Sequence, residues 1–261
     1  MGRDMGVSEG AYDVVVIGCG PAGAVAAHQF GQAGLKTLVV EREGRPYPLP
    51  RAVHLDHEIM RIFQDLGLVD VLEPMMRATH GHVHIGADGG VIRYLGAHGR
   101  PNRFGWSNDY FFYQPELEAT LRAGLSRYPN VELRLGRELT GLTQDEDGVS
   151  LTFLRETTGT EQVRAQYVLA CDGARSTTRR TLGIHLDDLK FEEPWLVVDA
   201  EVEGPVIFPD FAGLPAEADL QNLSVMLCDP RRPTTIVPGR GAHRRWAVSY
   251  THLTLPTKRI V

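Results

Sequence analysis

Gly18-Cys19-Gly20-Pro21-Ala22-Gly23, followed downstream by an acid at Glu41, is the stretch that decides the fold. Before it, Tyr12 to Ile17 is a short Val- and Ile-rich run without alternation, as a strand buried on both faces requires. Gly18 suits the tight turn out of that strand, Gly20 lets backbone approach a diphosphate, and Gly23 lets the next helix pack closely on the sheet. The predicted helix carries Ala24, Ala26, Ala27 and Phe30 and stops at Gly34; a second strand, Lys36 to Val40, delivers Glu41 at its carboxyl end. Unpaired N–H groups and the positive dipole end of the helix favour an anion. A carboxylate at position 41 suits both hydroxyls of an adenosine ribose and disfavours a 2′-phosphate. The predicted ligand is therefore NAD or FAD rather than NADP.

A second signature lies far along the chain. Ala165 to Cys171 reads as another strand of the same sheet, and Val168-Leu169-Ala170-Cys171-Asp172-Gly173-Ala174-Arg175-Ser176-Thr177-Thr178-Arg179 continues it. This run resembles the Asp-Gly fingerprint of the class A flavoprotein monooxygenases, the FAD-dependent aromatic hydroxylases. The resemblance implies FAD as cofactor and NAD(P)H as a transient co-substrate. Asp172 then suits a ribitol or ribose hydroxyl, Gly173 removes a colliding side chain, and Arg179 is available for diphosphate charge. Arg42, next to Glu41, joins the cofactor-binding candidates.

Two more residues enter through the same resemblance. Arg51, in Pro50-Arg51-Ala52-Val53-His54-Leu55-Asp56, matches an arginine that lies over the FAD diphosphate. Gln114, before the helix marked by Leu117, Leu121 and Leu125, matches a glutamine that reaches the flavin. Taken on their own, an exposed arginine and a capping amide explain these two almost as well. Segments around Arg51 to Gly67, Phe111 to Leu121, Phe191 to Val198 and Cys228 to Pro233 are similar to the 3-(3-hydroxyphenyl)propionate hydroxylase branch, from about Tyr12 to Trp246. That branch implies a small phenolic substrate and O2, with one oxygen atom transferred through a flavin C4a-hydroperoxide. A reductase or dehydrogenase of the same superfamily, or a flavin-binding fragment without catalysis, remains the alternative.

Composition agrees with a globular protein; the α/β expectation comes from the strand–helix–strand unit above. The 261 residues are 43% hydrophobic and 23% charged, with a formal net charge of -6, which leaves no basic footprint for nucleic acid. Cys19, Cys171 and Cys228 are too few and too scattered for a disulfide framework or a zinc site. No apolar run reaches membrane-spanning length, so the expected location is the cytoplasm. His80, His82 and His84 alternate, yet no carboxylate or cysteine cluster accompanies them, and no metal is expected. His54, close to Arg51, is the one weak catalytic candidate. Arg93, Arg103, Arg231 and Arg240 could each meet a substrate carboxylate. Oligomeric state is not readable.

The expected architecture is a Rossmann-like FAD-binding domain with an interleaved, incomplete, mostly-β substrate domain. The former takes residues 11–78 and 104–187, the latter 79–103 and 188–247; residues 1–10 are expected to be disordered. Hairpins are predicted at His82 to Ile85 with Val91 to Leu95, and at Val149 to Leu154 with Gln162 to Leu169 around Thr157-Thr158-Gly159. Val248 to Val261 looks like an in-frame translation of a transposase sequencing adapter, a non-native tail over 248–261. On that expectation the chain stops inside the substrate domain, lacks the family's later Gly-Asp motif, and is inactive as a fragment.

Overall fold

The computed structural model describes residues 11–155, 159–190 and 192–249. In chain order the regular elements are β1 (Tyr12–Ile17), α1 (Pro21–Gln32), β2 (Thr37–Glu41), β3 (His54–Asp56), α2 (His57–Asp65), α3 (Val69–Leu72), β4 (Arg77–Ala78), β5 (Gly81–Gly86), β6 (Val91–Gly96) and β7 (Asp109–Phe111). There follow α4 (Gln114–Gly124), β8 (Val131–Leu135), β9 (Arg137–Asp145), β10 (Gly148–Arg155), β11 (Thr160–Ala170), α5 (Thr177–Thr181), β12 (Trp195–Glu201), β13 (Ser224–Cys228), β14 (Thr234–Pro238) and β15 (His243–Ser249). The chain divides into two compact units, residues 1–48 with 115–187, and 49–114 with 188–261. Residues 49–78 and 104–114 thus cluster with the second unit, which moves the boundary from where the sequence suggested it. Within this stretch a three-stranded sheet, β3-β7-β4, joins 54–56 and 77–78 to 109–111, and Arg77 bonds Asn222 while Arg245 bonds the Pro50 and Arg51 carbonyls, which ties it to 188–261.

In the first unit, a six-stranded sheet runs β8-β2-β1-β11-β10-β9. β8, β2, β1 and β11 are parallel neighbours; β10 and β9 are antiparallel additions. Strand β1 explains why the opening run has no alternation: Val15 and Val16 are both fully buried. One of its faces packs into a core with Leu38, Val40, Leu151, Phe153 and Val163. Each such side chain contributes about 1.5–3 kcal/mol by leaving water. Two bonds at the carboxyl ends tie the strands together, Gly18 N–H to Val40 C=O at 2.8 Å and Cys171 N–H to Ile17 C=O at 2.7 Å. Glu41 and Asp172 consequently flank the end of β1, one on either side.

The second unit holds a sheet ordered β12-β15-β14-β13-β5-β6. The β5–β6 hairpin pairs in parallel with β13, so Val83 and Ile85 join Leu223 and Val225 in one core. His82 and His84 share the other face; His80 precedes the strand, with its ring 4.0 Å from that of His98. Among the described residues no group of three His, Cys, Asp or Glu side chains is arranged to hold a metal ion. No helix of the described residues is long and apolar enough to cross a membrane.

Strand β15 continues through Val248, paired with Leu196 and Thr234, and Ser249, paired with Trp195. The expected non-native tail therefore begins with two residues of regular strand. Its remainder, 250–261, lies outside the described residues, as do 1–10, Thr157 and Thr158 of the predicted turn, and Phe191.

Candidate functional site

Two glycine signatures interlock at the carboxyl edge of the first sheet. Gly18 has φ +94°, and a Cβ there would sit 2.8 Å from the Cys171 carbonyl carbon and 3.1 Å from the Asp172 Cα. At Gly23 a Cβ would run into the Gly18 carbonyl and come within 3.2 Å of the Cys171 Cβ. Both glycines are therefore required by close backbone approach within the protein itself. Gly20 differs, because no atom lies within 4 Å of the position a Cβ would take. It is the N-cap of α1, with no side-chain cap and with Pro21 in the first turn. Pro21 has no N–H, and Ala22 and Gly23 follow as the next amides of an uncapped helix start carrying no acidic side chain. An open glycine at an uncapped twelve-residue helix fits a diphosphate.

Glu41 closes the cradle. Its Oε2 accepts the Cys19 N–H at 2.8 Å and its Oε1 accepts the Glu43 N–H at 3.0 Å. Each carboxylate oxygen keeps a second acceptor site for a ribose hydroxyl. Sequence reasoning missed the residue beside it. Arg122, on α4, donates from Nε to the Cys19 carbonyl at 2.8 Å, and its Nη2 lies 3.5 Å from both Glu41 and Glu118. The side chains of Arg122, Glu41 and Glu118 are only 9%, 12% and 3% exposed. An arginine one position after Leu121 on a buried helical stripe, four residues after an acid, was the available signal. Burial pushes the Cys19 thiol up to about 12, with Arg122 opposing and Glu41 and Glu118 adding to the rise.

The Asp-Gly motif is used in part by the fold. Asp172 Oδ2 accepts from the Thr178 N–H at 3.0 Å and the Thr178 hydroxyl at 3.1 Å, at the start of α5. Burial pushes its carboxyl up, but hydrogen bonds from Ser176 and Thr178 outweigh it and hold the group below the usual range. Gly173 takes φ +74°, with nothing within 4 Å of a Cβ. Arg179 donates to the Ala174 carbonyl at 2.9 Å, fastening the loop, while its Nε is buried without a partner among the described residues. Arg42 pairs with Glu43 at 3.1 Å on an exposed surface.

Arg51, His54 and Gln114 fall in the second unit. Gln114 is buried, and its amide oxygen accepts the N–H groups of both Arg51 and Ala52 at 2.7 Å. From the other side Arg245, paired with Asp199 at 2.8 Å, donates to the carbonyls of Pro50 and Arg51. The peptide groups around Arg51 are thus held by side chains, leaving its own side chain exposed. His54 is exposed on β3. Nearby, His82 Nε2 is 3.2 Å from the buried Asp109 carboxylate, and this hydrogen bond is the main reason Asp109 titrates low.

A mostly parallel sheet whose first strand–turn–helix presents an open, anion-ready edge is the architecture of a dinucleotide-binding protein. The chain belongs to the FAD binding domain family, whose pattern matches residues 11–254. It is 37% identical over 200 residues to a 3-(3-hydroxy-phenyl)propionate/3-hydroxycinnamic acid hydroxylase of Mycolicibacterium smegmatis, covering 74% of this chain and 34% of that protein. It is 35% identical over 233 residues to a probable NADH-specific resorcinol 4-hydroxylase of Rhodococcus jostii, covering 89% and 42%. The fold matches the crystal structure of p-nitrophenol 4-monooxygenase from Pseudomonas putida with a TM-score of 0.77 at 23% identity, over 96% of this chain and 59% of that one. The chain spans between a third and about two-fifths of the length of these two curated relatives.

Proposed function

We propose that the chain is the FAD-binding part of an NAD(P)H-using monooxygenase that hydroxylates a small phenolic substrate. The observation that carries this reading is the interlock of Gly18 and Gly23 with Cys171, which leaves Gly20 open beside a half-buried Glu41. In this reading the α1 start and Gly20 bind the diphosphate, and Glu41 takes the adenosine ribose hydroxyls. Gly173 leaves room beside Asp172. Arg179 shapes the loop after Asp172. The first unit is the FAD-binding domain and the second the start of the substrate domain.

When bound, FAD supplies the redox chemistry, taking a hydride from NAD(P)H and activating O2 for transfer of one oxygen atom to the ring. The protein's own work is to bind, orient and exclude water. Phenols are favoured because both curated relatives are named for hydroxylated aromatics. Three free cysteines, Cys19, Cys171 and Cys228, suit a reducing cytoplasm.

The test is NAD(P)H oxidation by the protein with a panel of phenols. Substrate-stimulated oxidation with a hydroxylated product supports the proposal. Oxidation that yields a reduced acceptor without oxygen incorporation would assign a reductase, and a flavin spectrum without turnover a binding module.

A further inference from the structure

We infer that Arg122 is a positioning residue for the FAD diphosphate, acting through the Cys19 peptide and Glu41. The inference rests on the FAD reading above and adds a residue that no glycine motif contains.

Cys19 is the middle residue of Gly18-Cys19-Gly20, and both of its backbone polar groups are spoken for. Its N–H goes to Glu41 Oε2 at 2.8 Å, and its C=O accepts from Arg122 Nε at 2.8 Å. Arg122 and Glu41 also face each other at 3.5 Å, so the loop is clamped by a half-buried pair rather than by ladder bonds. The Cys19–Gly20 peptide is trans. In a planar trans peptide the N–H points opposite to the C=O. Drawing the Cys19 carbonyl toward Arg122 therefore turns the Gly20 N–H away from Arg122. Gly20 has open space around it and begins α1, so the direction set by Arg122 is that of an anion-binding amide.

A guanidinium is needed for this geometry. It must donate along Nε to a carbonyl while presenting Nη2 to two carboxylates, a fork that a lysine ammonium cannot reproduce. Arg122 Nη1 is buried with no partner among the described residues. The group is thus placed for Cys19 and the two acids and leaves one of its own donors unsatisfied. Glu118, 3% exposed in its side chain, holds the guanidinium from the same helix four residues earlier.

The experiment is an equilibrium titration of the deflavinated full chain with FAD and, separately, with ADP, for wild type, Arg122→Lys, Glu41→Gln and the double variant. Thermal melts run alongside. Arg122→Lys keeps the charge, should remain folded, and is expected to weaken FAD and ADP by the same factor, about tenfold or more. The double variant is expected to lose less than the sum of the two single ones, because Arg122 and Glu41 face each other and hold the two adjoining peptide groups of Cys19. Unchanged affinity in a folded Arg122→Lys chain would overturn the inference, as would losses in the two single variants that simply add. A wild-type chain that is folded but does not bind FAD would instead overturn the FAD reading itself.

Discussion

The Cys19 N–H donates to the Glu41 carboxylate at 2.8 Å, so the acid that suits a ribose also fastens the loop that suits a diphosphate. In the proposed function the two halves of an adenosine diphosphate site are thereby built as one piece. Replacing Glu41 with alanine should harm both at once. We expect Glu41→Ala to weaken FAD by at least about tenfold and to lower stability by about 1–3 kcal/mol, since a buried N–H and Arg122 each lose a partner. Parallel FAD titration and urea unfolding would check this.

Gly20 and Gly23 separate ligand binding from folding. Gly20→Ala meets open space and should leave stability within about 0.5 kcal/mol while reducing FAD affinity. Gly23→Ala drives a Cβ into the Gly18 carbonyl and should destabilise the chain by about 1–3 kcal/mol or more. Equal effects of the two substitutions on the melting midpoint would contradict the assignment.

Gln114 is a clamp on the Arg51 segment, where the family resemblance suggested a direct reach to the flavin. Its amide oxygen takes two N–H groups at 2.7 Å. Gln114→Ala removes about 0.5–1.5 kcal/mol per bond, enough to raise local opening about tenfold. Trypsin should then cut after Arg51, which is exposed, correspondingly faster than in wild type. An unchanged cleavage rate at that peptide would show that the clamp does not hold it.

Cys19 gives a pH prediction. Its thiol is raised from 9.0 to about 12, chiefly by burial. The folded state binds this proton more tightly than the unfolded state, so the contribution is complete below pH 9 and is lost as pH climbs from 9 toward 12. Cys19→Ala should flatten that part of the stability curve. At pH 8 a thiol reagent should label exposed Cys228 first and reach buried Cys19 only on unfolding.

Much of the fold was legible because it rests on local rules. Val15 and Val16 have to be apolar on both faces of a central parallel strand, and Gly18 and Gly23 have to lack Cβ atoms, so these positions declare themselves in sequence. Asp172 also declared itself, although its carboxylate is partly spent on the start of α5. What stayed hidden depends on tertiary approach. Glu118 and Arg122 look like an ordinary i,i+4 surface pair until α4 brings them to Cys19 and Glu41. Strands β3, β4 and β7 have two or three residues each, too few for a period, and so their pairing in one small sheet does not show in the sequence. The bond from Arg179 to the Ala174 carbonyl likewise depends on how the loop folds back, which no sequence pattern announces.

The most direct test of the account is a comparison of FAD with FMN, which carries the same isoalloxazine ring but no adenosine. Titrating the deflavinated chain with each by flavin fluorescence should show one FAD site, with FMN binding at least about a hundredfold more weakly. Equal affinities, or no FAD binding by a folded chain, would contradict the claim that Gly20 and Glu41 form an adenosine diphosphate cradle.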